Sequence, residues 1–210
     1  GVTDPMEAME ASASEPLASN GVEEQLKAIV TVDREKGHGS GCIISTDGYV
    51  VTNYHVVSER DSILRDSLKI IFHNDREMKG EVVRTNRMAD LALIKLDTTG
   101  LPVLRIKKEG KARVGSYVFA IGTPKSKELA QTVTQGVISE RRKFNKIRYI
   151  QTDVSISPGN SGGALIEKAS GKLIGIPSVK LIDKDIEGIS FAVSSKTLME
   201  SLKLRYAGNE

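Results

Sequence analysis

Short runs of apolar residues succeed one another along most of the chain, and glycine, asparagine or aspartate separates many of them. Such runs, rich in valine and isoleucine, are typical of β-strands bounded by turns. The first set occupies residues 28–32, 41–45, 48–53, 68–73, 80–85 and 91–96, and the second occupies 115–122, 132–139, 147–153, 163–167, 172–179 and 188–194. They are too short and too closely spaced for alternating strands and helices. Because closure leaves short strands without exposed edges, two sets of about six predict an all-β fold of two six-stranded antiparallel β-barrels.

The two ends of the chain differ from this pattern. Residues 1–24 are small, acidic and poor in aliphatic side chains, which predicts a flexible segment. We expect an N-terminal barrel lobe over 25–108 and a C-terminal barrel lobe over 109–210. A helix is predicted only near the C-terminus, with Ser195 as its N-cap, packed against the second barrel. Its apolar positions are Leu198, Met199, Leu202 and Tyr206.

Charge and composition narrow the range of functions. The 210 residues carry 30 basic and 27 acidic side chains, well mixed, so no tract for nucleic acid stands out. The one basic cluster, Glu140–Tyr149, is interpreted as a solvated hairpin rather than a polyanion site. We find no apolar stretch of the roughly 18 residues that a membrane span needs and no signal peptide. The single cysteine, Cys42, lies in an apolar run and is predicted to pack in the core as a small buried residue.

Candidate chemistry begins with the segment SPGNSGGAL, residues 157–165, which places Ser161 among three glycines. Glycine costs conformational entropy, so this density requires either a tight turn or a ligand that approaches the backbone closely. One interpretation is an ordinary surface turn. The other is a nucleophile loop in which the N–H groups of Gly159 and Ser161 point at one spot beside the hydroxyl. The second interpretation requires a base and an acid elsewhere in the chain.

Three histidines are candidates for the base. His38 and His73 are expected to lie at the surface. His55 follows a predicted strand and precedes further apolar residues, and a neutral imidazole is suited to accept a serine proton near neutral pH. For the acid, Asp90 directly precedes the apolar strand LALIKL, where a carboxylate would be shielded from water. Asp153 is the competing candidate, but its place shortly before the serine favours a role in holding the nucleophile loop.

Three segments together carry a family resemblance: TNYHVV around His55, ADLALIKL around Asp90 and GNSGGAL around Ser161. Their order resembles that of the catalytic blocks of chymotrypsin-fold serine proteases, and more closely those of the HtrA (Deg) family. Further stretches, such as GSGCIISTDGYVVTN and TVTQGVIS, are also similar to that family. The resemblance extends from about Gln25 to the C-terminal helix. It implies a chymotrypsin-like fold and a catalytic triad of His55, Asp90 and Ser161.

The same resemblance implies a mechanism and a pocket. Ser161 would attack a peptide carbonyl and form an acyl-enzyme, and neither a metal nor an organic cofactor would be required. The oxyanion hole is expected in the loop that contains Gly159, Asn160 and Ser161. The substrate pocket is expected to comprise Ile156, Ser178, Val179, Ile189, Ser190 and Phe191. None of these side chains is charged, so we expect P1 residues to be small or medium aliphatic ones.

Members of the HtrA family degrade unfolded proteins as part of protein quality control, usually as trimers that carry PDZ domains. The resemblance therefore implies unfolded polypeptide substrates and a periplasmic or other extracytoplasmic location. No PDZ domain is recognised within these residues. Trimers of this family are held together through their N-terminal segments. Because residues 1–24 lack the aromatic side chains that such a contact requires, we expect a monomer or a weak oligomer. Departures from the family pattern, which concern loops rather than the triad, are Thr123, Ser157, Ala164 and Pro177.

Two alternatives to an active protease come from other classes. An inactive or resting protease fold could serve as a protein-binding or holdase module. An esterase of the α/β-hydrolase type is disfavoured, because the sequence lacks Gly-x-Ser-x-Gly between a strand and a helix and presents its triad in a different order.

Overall fold

The computed structural model describes residues 22–34, 37–60, 62–63, 68–108, 112–123, 131–179 and 188–205. Most of the segment predicted over 1–24 lies outside these ranges. Helix α1, Glu23–Lys27, begins within the last residues of that segment, where no helix was predicted. Strands dominate the described chain beyond it, which confirms the all-β fold class.

The first barrel occupies the N-terminal half of the chain. Its strands and a small ribbon are, in chain order, β1 Ile29–Arg34, β2 Gly37–Ile43, β3 Tyr49–Thr52, β4 Ser58–Glu59, β5 Ser62–Ile63, β6 Leu68–Ile71, β7 Glu77–Asn86 and β8 Leu91–Leu96. The two short strands β4 and β5 pair only with each other in a separate two-stranded sheet. The remaining strands close in the order β1-β2-β3-β8-β7-β6, with antiparallel neighbours.

The second barrel has the same number of strands. They are β9 Tyr117–Gly122, β10 Thr132–Phe144, β11 Ile147–Thr152, β12 Ala164–Glu167, β13 Lys172–Pro177 and β14 Ser190–Ser194. They close in the order β10-β11-β14-β13-β12-β9, again with antiparallel neighbours. Two closed six-stranded barrels confirm the architecture predicted from the two sets of apolar runs.

The basic hairpin predicted over Glu140–Tyr149 is present as the connection between β10 and β11. Its turn residues, Asn145 and Lys146, have φ of 46° and 68°. Positive φ at both central positions is the signature of a type I′ turn, whose twist matches that of the flanking strands. Strand β10 runs on to Phe144, beyond the end predicted at residue 139. The extension is polar and largely exposed, so no apolar pattern marked it.

Aliphatic side chains fill both barrels. On β8, Leu91, Leu93 and Ile94 have no exposed surface, because both faces of this strand are covered. Cys42 of β2 lies in the same core, and burial raises the pKa of its thiol to about 12. The thiol therefore stays protonated and behaves as a small apolar group, as predicted.

The segment between β8 and β9 binds both barrels. The Leu104 N–H donates to the Ile43 carbonyl of the first barrel at 2.9 Å, and the Lys107 N–H donates to the Leu173 carbonyl of the second at 2.8 Å. Leu104 and Ile106 are buried in one apolar core that contains residues of both barrels. Strand ends at the barrel interface therefore hold fixed positions relative to one another.

The C-terminal helix packs on the second barrel as predicted, but its N-cap differs. Helix α2 spans Ser195–Ser201, and the Ser194 Oγ accepts from the Thr197 N–H at 3.3 Å. Ser194 is the cap because it ends β14 with extended dihedrals, whereas Ser195 is already helical. The Ser195 hydroxyl instead donates to the Lys107 carbonyl at 2.8 Å. Leu198 and Leu202 are fully buried, and Tyr206 lies outside the described residues.

Candidate active site

The three predicted catalytic side chains come together where strand ends of the two barrels meet. His55 lies in a 3₁₀ helix, Tyr54–Val56, shortly after β3. Asp90 directly precedes β8, and Ser161 lies in the turn between β11 and β12. The first barrel thus supplies the imidazole and the carboxylate, and the second supplies the hydroxyl.

Asp90 holds His55 by two hydrogen bonds. Its Oδ2 lies 2.7 Å from the His55 Nδ1, and its Oδ1 accepts the His55 backbone N–H at 3.0 Å. The Asp90 side chain is only 12% exposed, so little water competes for it. Its backbone has a φ of 53°, a left-handed conformation that aspartate tolerates better than most residues. This backbone turn brings both oxygens to the same histidine.

The pairing decides which imidazole nitrogen faces the serine. A carboxylate only accepts hydrogen bonds, so the proton of a neutral His55 lies on Nδ1. Its Nε2 is then a free acceptor, 3.4 Å from the Ser161 Oγ. That is the tautomer in which an imidazole can accept a hydroxyl proton.

The Ser161 hydroxyl makes shorter hydrogen bonds to other groups. It donates to the Asn53 Oδ1 at 2.8 Å and accepts from the Val179 N–H at 3.1 Å. Asn53 is fully buried, and its Nδ2 donates to the Asp90 carbonyl at 3.0 Å. Asn53 was not predicted as a site residue, although its place in TNYHVV, two residues before the histidine, was a signal. Before it can attack a substrate, the Ser161 hydroxyl must rotate so that it donates to the His55 Nε2 instead of the Asn53 Oδ1.

Ser178 was predicted as part of the pocket wall, but its hydroxyl has a different partner. It is fully buried and donates to the Asp90 Oδ2 at 2.7 Å. Together with the His55 contacts, this bond fixes the position of the Asp90 carboxylate. No local sequence pattern revealed it, because Ser178 and Asp90 are far apart in the chain.

The loop before Ser161 is closed by its own hydrogen bonds. The N–H groups of Asn160 and Ser161 donate to the Ser157 carbonyl at 3.1 and 3.2 Å. The Asn160 side chain accepts from the Ser157 N–H at 2.9 Å and donates to the Ser155 carbonyl at 3.1 Å. The Ser161 N–H, a predicted oxyanion donor, is thus engaged within the loop. A substrate oxygen would have to displace the Ser157 carbonyl.

The glycines after Ser161 are explained by close contacts with strands of both barrels. Gly162 has a φ of 83°, and a Cβ there would lie 2.4 Å from the Ser40 carbonyl oxygen. A Cβ on Gly163 would lie 2.1 Å from the Ile121 carbonyl oxygen. The Ser161 carbonyl accepts the Ser40 N–H at 3.0 Å. The loop therefore lies directly against neighbouring strands, at a distance that leaves no room for side chains.

The other acid candidate, Asp153, makes a different contact. Its Oδ1 accepts the Val137 N–H of β10 at 2.7 Å, which suits a residue that holds the chain ahead of the nucleophile loop. His73 is exposed and His38 is partly exposed, as expected. Near the triad, burial and then the charge of Asp90 raise the pKa of Tyr149, so its phenol remains neutral.

The remaining predicted pocket residues lie beside this site. Ile156 and Ser190 are buried, whereas Val179, Ile189 and Phe191 are partly buried. The Ser178 N–H donates to the Phe191 carbonyl at 3.3 Å, which joins the two pocket segments. Residues 180–187, between these segments, lie outside the described ranges. The composition of the pocket stays a prediction.

Metal sites and membrane spans can be sought only among the described residues. No group of three or more histidine, cysteine, aspartate or glutamate side chains in the described ranges has the arrangement of a metal site. None of the helices described above is long and apolar enough to cross a membrane.

Known proteins resemble this chain in sequence and in fold. The model of the trypsin-like peptidase domain family matches residues 39–176. A probable periplasmic serine endoprotease, DegP-like, of Pseudomonas fluorescens is 39% identical over 167 residues, which are 77% of this chain and 33% of that protein. The serine protease Do-like HtrA of Bacillus subtilis is 36% identical over 176 residues, which are 78% of this chain and 38% of that protein.

The crystal structure of the serine endoprotease from Yersinia pestis matches with a TM-score of 0.73 and 36% identity, covering 87% of this chain and 64% of that one. The chain spans between 33% and 38% of the length of the two curated relatives named above. These similarities confirm the resemblance to HtrA (Deg) serine proteases that the three sequence segments indicated.

Proposed function

The chain belongs to the trypsin-like peptidase family, and from that premise we propose that it hydrolyses peptide bonds as a serine endopeptidase. Ser161 is the nucleophile, His55 the general base and acid, and Asp90 the group that orients the imidazole. The observation that carries this proposal is the partly buried 2.7 Å contact between Asp90 and His55, with the other nitrogen of the imidazole turned toward Ser161.

The reaction begins when the Ser161 hydroxyl turns from Asn53 to the His55 Nε2. The oxygen attacks the substrate carbonyl while the proton passes to Nε2, and Asp90 stabilises the imidazolium. His55 then donates this proton to the leaving amine, and an acyl-enzyme remains. Water, activated by the same imidazole, releases the acid product.

The oxyanion is held by backbone N–H groups of Gly159 and Ser161 once the loop has opened. Opening requires the Ser157 carbonyl to leave the Ser161 N–H, from which it accepts a hydrogen bond at 3.2 Å in the closed loop. Each donor of this kind contributes about 3 kcal/mol to transition-state stabilisation. The closed loop therefore corresponds to a resting form of the enzyme.

Unfolded polypeptides outside the cytoplasm are the proposed substrates, in a quality-control role like that of the HtrA relatives. The uncharged pocket favours aliphatic P1 residues, because burying an unpaired substrate charge would cost several kcal/mol. A peptide-library digest should show cleavage after Val, Ala, Ile or Leu, and a digest dominated by P1 Arg, Lys or Glu would contradict the pocket. We propose a monomer or weak oligomer, which a stable trimer mass in light scattering would contradict.

A second candidate function rests on the resting hydrogen bonds. Because the Ser161 hydroxyl donates to Asn53 and the loop amides to Ser157, the fold as described could bind unfolded chains without cleaving them. Such a holdase would suppress aggregation of a denatured client at full strength in the Ser161→Ala variant.

A fluorophosphonate probe followed by peptide mapping separates the two functions. An endopeptidase incorporates the probe at Ser161, loses labelling in Ser161→Ala and keeps it in the control variant Ser157→Ala, since that exposed hydroxyl has no proposed role. Hydrolysis of unfolded casein should follow the labelling. Labelling at another residue, or casein turnover that survives in Ser161→Ala, would overturn the assignment.

A further inference from the structure

A cavity of about 200 Å³ lies on the second barrel, lined by the hairpin of β10 and β11, by the segment between β8 and β9 and by the start of α2. We propose that it binds the phosphoryl groups of a multivalent anion in preference to carboxylates. His55, Asp90 and Ser161 are not among the residues that line the cavity, and the proposal does not depend on peptidase activity.

The cavity gathers positive charge from distant parts of the chain. Its basic side chains are Lys107, Lys108, Arg141, Arg142, Lys143 and Arg148. Two belong to the segment that joins the barrels and four to the hairpin. None of the described residues that line the cavity is acidic. The hairpin alone was interpreted as a solvated face, and folding adds the two lysines and the concave shape that such a face lacks.

Two carboxylates near the cavity offset part of this charge. Glu167 pairs with Lys107, and Glu140 accepts the backbone N–H of Arg141. Burial alone would raise the pKa of Glu167, but hydrogen bonds from Lys107 and Ser170, with the charges of Lys107 and Arg141, hold it below its usual value. Among the residues that the structure describes, the six basic side chains outnumber these two carboxylates. Arg142 uses its Nε on a neutral partner, the Gln151 Oε1, at 2.7 Å, which leaves its charge uncompensated by that bond.

Hydrogen bonds fix the walls of the cavity relative to one another. The Arg148 N–H donates to the Thr197 Oγ1 at 2.9 Å and ties the hairpin to α2. The Ser195 hydroxyl donates to the Lys107 carbonyl at 2.8 Å and ties α2 to the joining segment. An anion would therefore meet a preformed site and would order few groups on binding. It would also relieve repulsion among cations that the fold holds together.

The density of cationic side chains favours phosphoryl groups over carboxylates, because a phosphate monoester carries a charge of about −1.5 to −2 at neutral pH. Guanidinium groups form two parallel hydrogen bonds with phosphate oxygens, and ammonium groups add point charges. The cavity is small compared with the roughly 300–1,000 Å³ of pockets that enclose whole ligands. It suits a short run of phosphoryl groups, with the rest of a larger molecule outside, beside the exposed Lys108, Arg142 and Lys143.

The test uses inorganic tripolyphosphate and isothermal titration calorimetry on the intact chain at constant ionic strength. We expect one bound tripolyphosphate per chain. The variant Arg142→Gln/Lys143→Gln should bind at least about tenfold more weakly, because two charge-assisted contacts are lost. The control variant Lys146→Gln/Lys172→Gln removes the same charge from exposed sites that do not line the cavity, and it should bind within about twofold of the unmodified chain.

Three outcomes would overturn the proposal. They are the absence of saturable binding, equal weakening in the two double variants, and citrate binding as tightly as tripolyphosphate, which would refute the preference for phosphoryl groups. If the first double variant does not melt cooperatively, the single variants Lys108→Gln and Lys143→Gln replace it. Each should then weaken binding at least about threefold, and unchanged affinity in both would equally overturn the site.

Discussion

The residues that the two barrels contribute to the candidate active site differ in how ready they are for catalysis. On the first barrel, the Asp90 carboxylate already holds the His55 ring at 2.7 Å, with the correct nitrogen free. On the second barrel, the Ser161 hydroxyl donates to Asn53 and its N–H to the Ser157 carbonyl. The acid–base pair is thus in place, whereas the nucleophile loop must rearrange. Under the proposed function, activation would therefore require the Ser161 hydroxyl to leave Asn53 and the Ser161 N–H to leave the Ser157 carbonyl.

The largest loss of turnover should come from a change in the Asp90–His55 pair, which is already in place. Asp90→Asn would permit the wrong imidazole tautomer, and we expect turnover of casein to fall about 10⁴-fold with the fold retained. Asp153→Asn, the matched control, should cost less than about tenfold, since Asp153 accepts only the Val137 N–H among the bonds described above. Equal losses in the two variants would remove the distinction between the acid and the residue that holds the loop.

The second-largest loss of turnover is expected from a change in the nucleophile loop at Gly162. Gly162→Ala would strain a backbone with a φ of 83° and drive a methyl group against the Ser40 carbonyl. We expect a loss of about 3 kcal/mol in the free energy of unfolding and about 100-fold in turnover, since displacing a nucleophile by an ångström is enough for that.

The matched control for this variant is Gly100→Ala. Gly100 has a φ of 74°, and a Cβ at this position would have nothing within 4 Å, so only the backbone cost of about 1 kcal/mol should appear. Chemical denaturation and casein turnover measure both variants. If Gly162→Ala were no worse than Gly100→Ala, the loop would not depend on its close contact with the first barrel.

The smallest loss of turnover should come from the hydrogen bond between Ser178 of the second barrel and Asp90 of the first. Ser178→Ala removes a donor to the Asp90 Oδ2, and we expect turnover to fall about tenfold, because the two His55 contacts remain. Ser45→Ala is the control, since this buried hydroxyl also donates to an aspartate, Asp47 Oδ1 at 2.6 Å, away from the triad. It should affect stability and leave turnover unchanged. A full loss of turnover in Ser178→Ala would mean that the acid–base pair is not in place without the second barrel.

The sequence predicted those parts of the fold and site that local patterns encode. The apolar runs marked β8 with the same bounds, 91–96, that the structure has. The three motif segments identified the residues that the fold brings together as His55, Asp90 and Ser161. The end of β10 was missed because its residues are charged and its ladder is exposed, so backbone pairing and a type I′ turn, rather than burial, define it.

Long-range contacts could not be predicted. The hydroxyl of Ser178 reaches Asp90 across 88 positions of the chain, and no local pattern distinguishes it from a pocket residue. The closed state of the nucleophile loop depends on backbone carbonyl orientation at Ser157, which side-chain types do not specify. The cationic cavity was hidden for the same reason, since Lys107 and Lys108 meet the hairpin only in the folded barrel.

The contact between Ser40 and the nucleophile loop has a consequence for synthesis of the chain. The Ser40 hydroxyl donates to the Gly159 carbonyl at 2.6 Å, across 119 positions. A nascent chain that has emerged only as far as its first barrel carries the imidazole and the carboxylate but no nucleophile. Under the proposed function, such a chain cannot cleave peptide bonds until Ser161 and the strands around it have been made. An unfinished copy of the protein therefore cannot cleave the chains around it, because it lacks the nucleophile.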